Sequence, residues 1–121
     1  NVVLISKNTY STLGILSNNY THSMGDYDYG LRALENNIDL ITTKKYVAIC
    51  PSNVGFPKWC DPKISLKNRW ISLHNPPGLN IKEYKLFIKR FWPKKYLQTI
   101  LKAYLKCLSP SLYYKITSYV K

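Results

Sequence analysis

A chain of 121 residues, 45% of them hydrophobic, can bury one modest core, which argues against a disordered polycation. Eighteen Lys and Arg against six Asp and Glu leave a net charge of +12, so the surface attracts anions: nucleic acid, phosphate-bearing ligands or an acidic membrane face. No run approaches the roughly 18 apolar residues a membrane-spanning helix needs, and Cys50, Cys60 and Cys107, odd in number and in no metal spacing, indicate reduced thiols.

The first element is "VVLI" (2–5), apolar and β-branched, which predicts a short buried strand. A chain that opens in a strand, with no Met, cap or leader, predicts a piece cut from something longer. Ser6 can cap a helix running to about Leu13, with Gly14 as its stop. "SNNYTHSMG" (17–25) is turn chemistry, and a second helix is expected from about Asp26 to Asn36. Tyr27, Leu31 and Leu34 share one of its faces, and Asn36-Asn37 suits its end. "IDLITT" (38–43) and "KYVAIC" (45–50) are strand-like. Residues 51–80 hold five of the seven prolines and two of the three tryptophans, and are expected to form a long loop that is functional or wraps a partner. "NIKE" (80–83) has the form of a capping box, with Asn80 as cap and Glu83 reaching back. Its helix should run to about Trp92, where Pro93 breaks it, and another should cover roughly 94–107. The last stretch, "LYYKITSYVK", fits helix or strand.

Three constellations carry chemistry. In "THSMGDYDYGLR" (21–32), Asp26 and Asp28 stand two apart in a basic protein. An Asp-x-Asp can hold a divalent cation, but in sugar-nucleotide enzymes such pairs usually end an apolar strand, whereas this one opens a helix whose dipole favours carboxylates. Asp28 and Arg32 form an i,i+4 pair, which would hold Asp28 and leave Asp26 to face a cleft. The second constellation is 81–121, with ten Lys or Arg, one acid and interleaved aromatics. It suits a basic amphipathic helix on an anionic membrane, or a core-facing helix with a solvated basic face. No recognisable nucleic-acid motif accompanies it, so nucleic acid is not expected as a partner. The third is the pair Trp59 and Trp70, whose flat faces could stack on a sugar or simply fill a core. His22 and His74 are too isolated to be metal ligands, and no glycine-rich phosphate loop, nucleophile elbow or zinc pattern is present.

Taken together, the strand, the short helix ending in Gly14, "HSMGDYDYGLRALENNIDL" and "YVAICPSN" resemble the C-terminal half of family 2 glycosyltransferases, inverting enzymes of the GT-A fold. "GDYDYGLRA" is similar to the variant in bacterial members that build surface polysaccharides, and "CPSN", "W-x-DP" and "PPGLNIKEYKLFIKRFW" look like the tail of that subgroup. The likeness covers nearly the whole chain, more specific in the centre than in the tail.

The resemblance implies an α/β chain, a partial GT-A (Rossmann-like) fold. Residues 1–50 would close the catalytic domain, 51–80 would be an acceptor-side loop, and 81–121 a basic helical tail. It implies transfer of a sugar from a nucleotide diphosphate donor to the hydroxyl of a glycan or lipid-linked acceptor. Asp26 would be the base, with Asp28 and Arg32 supporting it, His22 and Gly25 at the mouth of the site, and Trp59 and Asn53 beside the acceptor. Gly25 stands where many members carry a Glu. The donor-binding half, with the Asp-x-Asp that holds Mg²⁺ or Mn²⁺, would lie N-terminal to Asn1, so the chain alone is expected to be inactive. The basic tail, with Lys89, Arg90, Lys94 and Lys95, would rest on the cytoplasmic face of the inner membrane, and unpaired strand edges would invite self-association. A rival reading of the same residues is a non-enzymatic basic module for an anionic membrane or nucleic acid.

Overall fold

A computed structural model of the chain describes residues 3–22, 24–49 and 55–118. Its described residues form helices α1 (Lys7–Leu13), α2 (Gly25–Glu35), α3 (Leu66–His74), α4 (Ile81–Phe91), α5 (Tyr96–Leu108) and α6 (Pro110–Ser118), and no strand. The α/β, Rossmann-like expectation is thereby overturned. Residues 3–5, 38–43 and 45–49 have the β-branched composition of strands, but a strand exists only where a neighbour takes its backbone N–H and C=O groups, and none does so among the described residues. Most of their apolar side chains stay in water, Ile49 at 98% exposed, with Ile38 partly buried. The self-association expected through strand edges has no formed strand to act through among the described residues, although β-branched backbone without a strand partner remains at 38–49.

Two compact units divide the chain, residues 1–54 and 55–121. In the first, α1 and α2 end as their sequences dictate. The Thr9 amide donates to Ser6 Oγ at 3.1 Å, and Gly14, at φ 71°, turns the chain out of α1 while its amide reaches the Tyr10 carbonyl at 2.8 Å. Asn37, at φ 57°, ends α2. Its amide donates to the Leu34 carbonyl and that of Ile38 to the Ala33 carbonyl, at 3.0 and 2.9 Å, the paired bonds of a Schellman motif. The buried face of α2 is not the apolar one. Asp28, Tyr29 and Ala33 turn inward, while Tyr27, 61% exposed, and Leu34 turn out.

The second unit is built around Leu73, Ile81, Ile100, Ala103 and Cys107, with Trp59, Leu79, Tyr84, Tyr96 and Tyr104 packed on them. The expected 51–80 loop contains α3, which Ser65 caps by accepting from the Asn68 amide at 3.4 Å. Four prolines of this stretch that fall in the described residues lie outside α3, so they punctuate it without breaking it. Gly78 lies so close to the backbone of α3 that a Cβ there would overlap the Ser72 carbonyl. The capping box at Asn80 is also corrected. Asn80 precedes α4 in a left-handed conformation, φ 47°, and its side chain caps nothing. Capping needs extended backbone to aim the side chain at the first-turn amides, and the left-handed one does not supply it. Pro93 does end the helical run, through a 3-10 turn at Pro93–Lys95, and the ambiguous last stretch is helical.

Candidate functional site

The acid pair sits on the first two turns of α2, where Met24 provides no side-chain cap. Asp28 is fully buried. Arg32, one turn on, donates from Nε to Asp28 Oδ2 at 2.8 Å. The same guanidinium donates to the Leu13 carbonyl at 2.9 Å and the Ile15 carbonyl at 3.2 Å, and it lies 5.0 Å from the Tyr29 ring centre. Tyr29 adds a bond of 3.1 Å from its hydroxyl to the Gly14 carbonyl. A cation on the last carbonyl of α1, and on that of Ile15 just beyond its Gly14 cap, meets the negative end of that helix, so Asp28 and Arg32 tie the start of α2 to the end of α1.

Asp26 is different. It is exposed, and one carboxylate oxygen accepts the Tyr27 amide at 2.9 Å. Its position, second in the helix, is where the dipole stabilises negative charge. Gly25 opens α2 half-buried, and a Cβ there would meet only Tyr20 Cβ, at 4.0 Å, so packing alone does not require glycine. His22 is exposed in the turn leading into the helix. Gly25, Asp26, Asp28 and Arg32 are thus brought together, with one carboxylate committed to structure and one presented to solvent.

This arrangement does not fit Mg²⁺ or Mn²⁺. Asp28 is buried against Arg32, and no three His, Cys, Asp or Glu converge among the described residues. The ion implied by the resemblance would have to be held elsewhere.

In the second unit Trp59 lies in a 3-10 turn, half-buried on the core, and Asn53 falls outside the described residues. Trp70, 43% exposed on α3, is one of the aromatic side chains of this unit that reach water, with Trp92 and Phe56. Its ring centre is 4.5 Å from that of His74 and 5.9 Å from that of Tyr104, and Lys85 Nζ donates to the Tyr104 hydroxyl at 3.2 Å. Aromatic faces beside a cation can stack on a sugar or other ring. Trp70 and His74 stand four apart, a helical signal hidden by reading 51–80 as loop. Lys89, Lys94 and Lys95 are exposed, and Arg90 lies over the Phe91 ring at 4.9 Å.

Among the described residues the two cysteines, Cys60 and Cys107, are both buried. Burial pushes the Cys60 and Cys107 thiols up from their ordinary range, away from the thiolate. Tyr114 donates to Cys60 Sγ at 3.7 Å, and desolvation, with that bond second, pushes its hydroxyl up to about 12. Arg69, buried, serves the second unit as Arg32 serves the first. It donates to the Cys107 carbonyl at 2.6 Å, to that of Leu108 at 3.2 Å and to that of Ile64, holding the end of α5. Compared with family models, curated proteins and solved structures, the chain matches none.

Proposed function

We propose that this chain supplies the acceptor side of an inverting sugar transfer from a nucleotide diphosphate donor, with Asp26 as the base. The observation that carries the reading is the division between the two acids: Asp28 is consumed by Arg32, whereas Asp26 faces solvent at the helix start. In the reaction an acceptor hydroxyl oxygen bonds to the anomeric carbon as the bond to the diphosphate oxygen breaks on the opposite face. The hydroxyl proton passes to the Asp26 carboxylate. The same negative charge favours the oxocarbenium character of the transition state. The pair Asp28 and Arg32 holds the base in place without touching substrate.

The test is sugar transfer by a polypeptide that joins this chain to a donor-binding half. Asp26→Asn should lower the rate by about 10³-fold, within the range of general-base contributions, with the helical circular dichroism retained. Transfer at the parent rate by that variant would remove Asp26 from the reaction. On the rival reading of a non-enzymatic basic module, no transfer occurs and Asp26 is dispensable for binding.

A further inference from the structure

Helix α5 is apolar on two sides. Ile100, Ala103 and Cys107 turn into the core of the second unit and are buried. Leu97, Leu101, Leu105 and Leu108, spaced as one helical stripe, are 73%, 67%, 39% and 49% exposed. With a rise of about 1.5 Å per residue the stripe is about 17 Å long. Packing of the unit does not account for it, because the core is made by the other side of the same helix. Leu112 and Ile116 on α6 add a second exposed pair one turn apart.

The charges around the stripe restrict what can cover it. Lys94, Lys95 and Lys102 are exposed, Lys106 lies over the Tyr113 ring at 4.9 Å, and no acidic residue follows Glu83 in the sequence. A covering surface must therefore be anionic and apolar at once. A nucleic acid would neutralise the lysines and leave the leucines in water. A second copy of the helix would cover the leucines and bring lysine to lysine. A bilayer with acidic headgroups satisfies both demands, with acyl chains under the leucines and phosphates beside the ammonium groups.

We propose that the outward leucine face of α5 lies in the interface of an anionic bilayer, parallel to its plane. None of the described helices is long and apolar enough to cross a membrane, so the contact is peripheral. The inference stands on exposure and charge, independently of any sugar transfer.

The experiment is flotation of the full chain with vesicles of phosphatidylcholine, alone or mixed with phosphatidylglycerol. Binding should require phosphatidylglycerol and weaken steeply with salt. Leu97→Gln with Leu101→Gln should lower vesicle partition more than about ten-fold while circular dichroism is unchanged, since neither leucine is in the core. Leu97→Trp with Leu101→Trp should bind at least as well as the parent, because an interface accepts any large apolar group. The proposal is overturned by Gln variants that bind like the parent, by equal binding to neutral vesicles, or by self-association through the leucines with no vesicle partition.

Discussion

Asp28 has given up water and gained Arg32, while Asp26 keeps water and the Tyr27 amide. The consequences of removing each are opposite in kind. Asp28→Ala leaves a guanidinium short of its carboxylate at the junction of two helices and should cost about 3 kcal/mol, measured by urea unfolding. Arg32→Met should instead free the end of α1, visible as faster hydrogen exchange of its amides. Asp26→Asn touches none of these contacts and gives up only a favourable interaction with the helix dipole, so its cost should be far below that of Asp28→Ala. A pH dependence belongs to the other unit. Cys60, Cys107 and Tyr114 all have folded pKa values raised above those of the unfolded chain, so folding favours their neutral forms. That contribution is complete below about pH 9, the ordinary thiol value, and is lost as pH rises, over a range that extends for Tyr114 to about 12. Circular dichroism should show alkaline loss of helix in that window, and Tyr114→Phe should flatten it.

At the scale of elements, Gly78 and Arg69 fix the frame of the second unit. Gly78→Ala cannot be absorbed by rotating a side chain, since the overlap is with the Ser72 backbone, and should destabilise by about 1–3 kcal/mol in a thermal melt. Helix ends were the legible part of this fold: Ser6, Gly14, Asn37 and Pro93 act through their own chemistry within a few residues, so a local reading suffices. Elements that depend on distant partners were not legible. The β-branched runs at 3–5, 38–43 and 45–49 describe a strand that has found no neighbour, and the run of prolines around α3 masked Ser65 and the four-residue spacing of Trp70 and His74. The acid pair was legible because its separation into a held and a presented carboxylate follows from i,i+4 geometry. The two-sided α5 was not, because periodicity lists apolar positions without saying which side faces the core.

For the whole molecule, the surplus of positive charge keeps its copies apart. That repulsion matters because of residues 38–49, which combine two runs of high β-propensity with a backbone engaged in neither helix nor strand. Such a segment is a template for intermolecular cross-β growth, with Lys44 between the two runs and Lys45 opening the second in the position of gatekeepers. Salt shortens the range of the repulsion to about 10 Å at 0.1 M and leaves the template unguarded. Thioflavin fluorescence should therefore rise with ionic strength, and Lys44→Gln with Lys45→Gln should shorten the lag, making low salt the condition in which this protein stays in solution.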